Sequence, residues 1–242
     1  MRCQVLSDLH AEFATPEEQI CIIDKIYTSN VDILILAGDI LTVKTEKSFM
    51  FDLCNIYRDS IVLWVLGNHW YYRGSIKTDL SVAREIEKQI PNLTILENDI
   101  YEAKGKRFLG CTLWFENQPN NFIYAGRFND FRYIKYLDPT VYEKNRESKA
   151  FLSDNIQEGD IVITHHMPSY NLVHSRFYGS QFNRFFLCDM EKVIEKNKPS
   201  LWISGHTHSN FNTKYADTKL LVNPMGYPGE NDEFNEHLTI EV

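Results

Sequence analysis

The feature that most limits what this chain can become is a set of five short apolar runs, each broken off by a cluster of polar side chains. Arg2–Leu6 runs into Ser7-Asp8-Leu9-His10, Asp32–Ala37 into Gly38-Asp39, and Ile61–Leu66 into Gly67-Asn68-His69. Ile161–Ile163, within an expected strand Asp160–Thr164, leads to Thr164-His165-His166, and Leu201–Ile203, within Ser200–Ser204, leads to Gly205-His206-Thr207-His208. Runs this short, continuous and rich in β-branched residues read as buried strands. Between the first three, Pro16–Ser29 and Glu46–Arg58 carry apolar residues at helical spacing. Pro16 with Glu17 and Glu18 behind it marks a helix start, with negative charge at the positive end of the dipole. Asp79–Gln89 is a further expected helix, ended by Pro91.

Strands alternating with helices imply a parallel sheet with crossover connections. In such a sheet ligands bind outside the carboxyl ends of the strands. Five polar strand ends therefore point to one cleft.

The middle of the chain reads differently. Leu93–Leu96, Ile100–Tyr101 and Arg107–Thr112 are closely spaced strands with Gly105 at a turn, the pattern of a meander. Phe115–Asp138 has no clear period, but its seven aromatics between Phe115 and Tyr136 favour an ordered segment. Thr140–Asn155 and Asp189–Lys196 read as helices, and Lys219–Val222 and His237–Val242 as strands. No linker or repeat divides the chain, so the expectation is one α/β domain over residues 1–242, with two packed sheets and helices outside.

The sequence has no signal-peptide pattern, and no apolar stretch approaches the roughly 20 residues of a membrane span. Cys3, Cys21, Cys54, Cys111 and Cys188 are scattered without a CxxC pair, as in reduced, mostly buried cysteines. Both observations suggest a cytoplasmic protein. The formal net charge of -8 argues against a nucleic-acid groove, though not against a small phosphorylated substrate, since bound metals supply positive charge locally. Nothing in the sequence fixes an oligomeric state.

The residue types at the strand ends suit metal ions. Carboxylates, imidazoles and an amide oxygen, without thiolate, select manganese, iron, zinc or a similar ion. Asp8/His10 and His206/His208 are each two residues apart, so each pair shares a face of an extended chain. Gly38, Gly67 and Gly205 suit sharp turns beside such a site. Taken singly, Gly-Asp is a common turn signal, and one histidine after a strand is commonly structural. The order of all five clusters carries the inference. Asp39 is the candidate to bridge two ions about 3.5–4 Å apart, the separation of two-metal hydrolases.

DxH, GD, GNH, HH and GHxH, in that order over residues 3 to 208, resemble the signature of calcineurin-like metallophosphoesterases. The resemblance implies a four-layer α/β/β/α sandwich with two mixed sheets and a dinuclear site at the sheet edge. By motif, Asp8, His10, Asp39 and His208 would hold one metal, and Asp39, Asn68, His165 and His206 the other, with His166 as the alternative to His165. His69 would contact the phosphoryl group or protonate the leaving oxygen.

Two departures stand out. Trp70 follows GNH where the family often has an acid, and Asp39 is followed by Ile40-Leu41-Thr42, so His69 lacks a local carboxylate partner. The sequence is closer to small stand-alone bacterial or phage members than to the serine/threonine phosphatases.

The expected reaction is phosphate-ester hydrolysis by a metal-bridging hydroxide, with two divalent or trivalent ions, manganese, iron or zinc. Asn129, Arg132, Arg176 and His166 are the candidate substrate contacts, with Tyr170, His174, Tyr178 and Arg184 in the same irregular stretches. Aromatics that can stack on a base tilt the expectation toward a phosphodiester or nucleotide-like substrate. A nuclease acting on DNA or RNA is the second reading, and a non-catalytic, metal-binding interaction scaffold the third. Asn223-Pro224-Met225-Gly226-Tyr227 is expected to turn back toward the cleft.

Overall fold

Within each apolar run, alternate side chains must face opposite sides of a sheet, and a run apolar at every position needs cover on both faces. The computed structural model describes residues 1–45 and 47–242, and it meets that need with four layers. The first sheet is built from β1 (Arg2–Leu6), β2 (Ile33–Ala37), β3 (Ile61–Val65) and β4 (Leu93–Ile95), all parallel. The connecting helices are α1 (Pro16–Ile26), α2 (Ser48–Ile56) and α3 (Asp79–Glu87). Thr15 caps α1: its hydroxyl accepts from the Glu18 amide, and the Glu18 carboxylate accepts from the Thr15 amide. The expected first residue of α2, Glu46, lies outside the described residues.

Leu6, Leu34, Leu36, Val62 and Trp64 pack with α1, α2 and α3, while Val5, Ile33, Ile35, Ala37, Leu63 and Val65 face the second sheet. That sheet has the order β5-β6-β7-β8-β10-β9, from β5 (Asp99–Ala103), β6 (Lys106–Cys111), β7 (Ile161–Thr164), β8 (Leu201–Ser204), β9 (Phe211–Tyr215) and β10 (Thr218–Val222). Phe108, Ile161, Ile163, Leu201, Ile203 and Leu221 meet the first sheet. Leu109, Val162, Trp202 and Leu220 point the other way, into the core shared with α6 (Leu137–Asn155) and α7 (Glu191–Asn197). β11 (Thr239–Glu241) closes the first sheet antiparallel to β1, giving the order β11-β1-β2-β3-β4. The α/β/β/α sandwich of two mixed sheets is present as expected.

The meander is not. β4 joins the first sheet beside β3, and only β5 and β6 form an antiparallel hairpin. The chain crosses between sheets at Leu96–Asn98. The Leu96 amide still bonds the Trp64 carbonyl of β3, while the Asn98 amide bonds Gly110 of β6. Spacing shows that strands are near in sequence, and backbone pairing decides which edge each one joins. The aperiodic stretch from Phe115 contains α4 (Asn121–Ala125) and α5 (Asn129–Tyr133), each too short to show a period. α6 is extended at Asp138, so its regular part begins near Thr140 as expected. The five cysteines are free and all but Cys21 are buried. No helix among the described residues is long and apolar enough to cross a membrane.

Candidate metal centre and active site

Asp8, His10, Asp39, Asn68 and His69 follow β1, β2 and β3, and His165, His206 and His208 follow β7 and β8, so both sheets deliver residues to one rim. The turns are tight. Asp8, His10, Asp39, His206 and His208 all have left-handed backbone, with φ between 46° and 68°. Non-glycine residues adopt that region rarely, and where they do the surrounding structure must hold them there. Here it does: the Asp8 amide bonds the Gly38 carbonyl, the His10 amide the Asp39 carbonyl, and the Asp39 amide the Leu66 carbonyl. At Gly67 (φ 82°) a Cβ would stand 2.2 Å from Asp39 Oδ1. Gly205 makes room rather than a left-handed turn, since its Cβ would lie 2.6 Å from Asp8 Oδ2.

The side chains fall into two groups of converging donor atoms, each lying within 4.8 Å of one another: Asp8, His10 and His208, and Asp39, His165 and His206; a third such group, His10, Glu12 and His69, shares His10 with the first. In the second group His165 Nδ1 donates to the Ala37 carbonyl at 3.0 Å, which leaves the lone pair on Nε2. That lone pair faces Asn68 Oδ1 at 2.9 Å, Asp39 Oδ2 at 3.2 Å and His206 Nδ1 at 3.2 Å. The Asn68 amide nitrogen is already spent on Asp130, at 2.8 Å, so its oxygen is the atom turned inward. In the first group His208 Nδ1 donates to Glu230 at 2.6 Å, and His10 Nδ1 to Glu12 at 3.1 Å. Their Nε2 atoms then face each other at 3.1 Å, with Asp8 Oδ1 3.4 Å from His208 Nε2.

Acceptors aimed at acceptors in a buried site are repulsive without a positive charge between them. Burial works against charging His165, yet Asp39 and Asp8 raise it to about 9; burial likewise opposes His208, yet Asp8 and Glu230 raise it to about 10. For His206, burial and the nearby His166 and His165 push the pKa well below the ordinary value, so it is a neutral ring with a lone pair to give. Burial raises the Asp8 and Asp39 carboxyls, but the surrounding imidazoles carry both below the usual carboxylate range. A pocket that demands positive charge and presents oxygen and imidazole lone pairs fits a transition-metal ion.

His69 belongs to that third group and stands outside the first two. Its Nδ1 is 2.7 Å from Glu12 Oε1, its Nε2 is 3.2 Å from the Tyr227 hydroxyl, and its ring stacks on Tyr72 at 4.0 Å. Burial lowers its pKa, but Asp39 and Glu12 more than reverse that and raise it above its ordinary value. His69 therefore does have a carboxylate partner, distant in sequence. Trp70, where an acid was expected, is a core residue donating to the Asp79 carbonyl.

His166 is fully buried, with Nδ1 on the Thr112 carbonyl at 3.1 Å and its ring 4.4 Å from that of His206; it backs His206 and lines neither cleft. Asn129 lines the cleft on both sides of His69, and Arg176 lines one side. Arg132 does not: its guanidinium donates to the Gly126 carbonyl and holds the loop together. Arg184 is likewise spent on Pro119 and Gln181 carbonyls.

The segment after Asn223 does turn back. The Met225 and Gly226 amides bond the Ser7 and Asp8 carbonyls, which brings Tyr227 over His69 and His10. Sequence reasoning did not single out Glu12, Glu230 or Arg127. Glu12 had a signal, an acid two residues beyond His10. Glu230 and Arg127 had none, since they meet the site only through the fold. Asp130, which lies between the candidate contacts Asn129 and Arg132, is buried against Asn68 and Tyr72.

Comparison with known proteins places the fold and the family. An uncharacterized protein of Acanthamoeba polyphaga mimivirus is 27% identical over 98% of this chain and 95% of its own length. An uncharacterized metallophosphoesterase of Helicobacter pylori is 28% identical over 49% of this chain and 31% of its own length. Among solved structures, the phosphopantetheinyl hydrolase of Mycobacterium tuberculosis superposes with a TM-score of 0.71 at 15% identity, covering 94% of this chain and 90% of its own. The protein TT1561 of Thermus thermophilus gives 0.57 at 14%, over 92% and 88%. The family model described as calcineurin-like phosphoesterase matches residues 1–210. The chain belongs to the calcineurin-like phosphoesterase family.

Proposed function

We propose that the whole chain is one catalytic domain, a dinuclear phosphodiesterase of the cytoplasm. The observation that carries this is the pair of lone-pair clusters, one containing Asp8 and the other Asp39, with His69 beside them. Asp8, His10 and His208 would hold one ion, and Asn68, His165 and His206 the other, with Asp39 as the bridging carboxylate. Bound there, two such ions supply an activated water and neutralise charge on the phosphoryl oxygens.

The chain's own groups do the rest. Glu12 holds the Nδ1 proton of His69, which leaves Nε2 as the atom that protonates the departing oxygen. Tyr72 stacks on the ring, and the Tyr227 hydroxyl lies 3.2 Å from Nε2, the atom a leaving oxygen must approach.

A diester is favoured over a monoester because the cleft has two arms. A groove of about 820 Å³ and a cavity of about 460 Å³ meet at a wall made by His69, Tyr72, Asn129 and Tyr227. A monoester has no second substituent to place.

The expected outcome is that Asp39→Asn and His206→Ala each remove manganese-dependent hydrolysis of bis(p-nitrophenyl) phosphate. Wild-type protein inert toward aryl monoester and diester alike, with manganese, iron, zinc and nickel each supplied, would sink the enzymatic reading.

A further inference from the structure

The two arms of the cleft differ in chemistry. Asp39, Asn68, His206 and His208 open into the 460 Å³ cavity and not into the groove, so the phosphoryl group sits at the cavity's inner end. Glu12, Phe13 and Lys44 line the groove on the far side of His69. His69 lines both arms, and a leaving oxygen that takes its proton on the groove side of the ring would depart toward the groove. The substituent that stays on phosphorus would then lie in the cavity.

That cavity offers aromatic faces and two arginines. Phe186 stands 4.6 Å from the His206 ring, so the aromatic surface begins beside the phosphoryl position and continues through Phe128 and Phe182. Arg127 lies over the Phe182 ring at 5.2 Å and Arg176 over Phe177 at 4.6 Å. Among the described residues, neither guanidinium forms an ion pair or donates a hydrogen bond, whereas Arg132 and Arg184 spend theirs on main-chain carbonyls. Besides Asp39, the acid in this lining is Glu230, already committed to His208 Nδ1 at 2.6 Å and to the Tyr227 amide at 3.1 Å. Two unspent planar forks beside stacking surfaces match a phosphate attached to an aromatic group, since guanidinium binds phosphate in a bidentate manner and rings stack on bases.

We propose that the retained arm of the substrate is nucleotide-like and carries a second phosphate, bound by Arg127 and Arg176, apart from the one that is hydrolysed. This rests on the phosphodiesterase reading above. In the reaction, water adds hydroxyl to the inner phosphorus and releases its other proton to solvent, the P–O bond to the leaving arm breaks, and protonated His69 gives that oxygen its proton and is reprotonated from solvent. The second phosphate is untouched and anchors the product.

Three probes with one leaving group test this in the manganese-loaded protein: bis(p-nitrophenyl) phosphate, the p-nitrophenyl ester of thymidine 5′-phosphate, and that same ester bearing a 3′-phosphate. The expected result is that kcat/KM rises along the series. In an Arg127→Ala/Arg176→Ala double variant, the gain from the added phosphate falls by about tenfold or more, the scale of a charged hydrogen bond. Calorimetry on thymidine 3′,5′-bisphosphate against thymidine 5′-phosphate should show the same preference in binding, and the same loss in the variant. Both arginines are exposed, so the variant is expected to fold. A wild type indifferent to the added phosphate, or a preference that survives in the variant, would overturn the proposal. If none of the three probes is hydrolysed, the phosphodiesterase reading fails, and the binding preference alone decides the role of the arginines.

Discussion

Glu12 Oε1 lies between two imidazoles, 2.7 Å from His69 Nδ1 and 3.1 Å from His10 Nδ1, so one carboxylate orients both a proposed acid and a proposed ligand. Neutralising it leaves the size of the side chain and removes the charge that favours a protonated His69. Glu12→Gln should therefore depress turnover far more for a diester with an alkyl leaving group than for one with nitrophenolate, which departs without a proton. The ratio of the two rates should fall by about tenfold or more, within the range general acids contribute. Equal loss on both substrates would assign Glu12 to metal retention instead. This pair was hidden in the sequence because the two residues are 57 positions apart and meet only when the turn after β1 packs against the turn after β3. The metal-type residues stood out for the opposite reason: they lie in the turns just after β1, β2, β3, β7 and β8, so local order alone reports them.

The elements that matter most are the turns at the strand ends. Strands β1, β2, β3, β7 and β8 were readable because each is a continuous apolar run, and the helices between them because their buried faces recur at helical spacing. What no period reveals is partner choice, which put β4 in the first sheet, or short helices such as α5, whose Asp130 reaches Asn68 from 62 residues away. Gly67 shows how little slack the turns have. A methyl group there meets Asp39 Oδ1 at 2.2 Å and the Asp39 amide at 2.5 Å, on backbone at φ 82° that side chains resist. Gly67→Ala should push Asp39 out of register, lowering bound metal in elemental analysis and costing about 1–2 kcal/mol in urea unfolding from the backbone alone. Full metal content together with wild-type stability would mean that the turn is more pliable than these contacts allow.

In the molecule as a whole, the site is where the two sheets are joined at their rims. The first sheet contributes Asp8, His10, Asp39 and Asn68, the second His165, His206 and His208, while the apolar layer between them holds the sheets together below. Asp8 and Asp39 are buried with 0% and 1% exposure, and burial and the Asp39 charge both oppose the Asp8 carboxylate, although His208 and His165 outweigh them and hold its pKa low. Two carboxylates in that position repel, and ions that bind the folded rim remove the repulsion while tying sheet to sheet. Any ligand that binds only the folded state stabilises it, by about 2.7 kcal/mol at a hundred times its dissociation constant. For a chain of this length each kcal/mol moves the melting temperature by roughly 2–4 °C. Manganese added to chelator-stripped protein should therefore raise Tm by about 5–10 °C, and His206→Ala, which removes a donor from the second sheet, should lose most of that rise. Without metal the variant's own Tm should also fall, because the buried ring packs on His166 and Phe186 and its Nδ1 lies 3.2 Å from His165 Nε2, so the quantity to compare is the metal-induced rise in each protein. A wild-type melting curve that no transition metal shifts would mean that these converging lone pairs do not bind the ions they are shaped to receive.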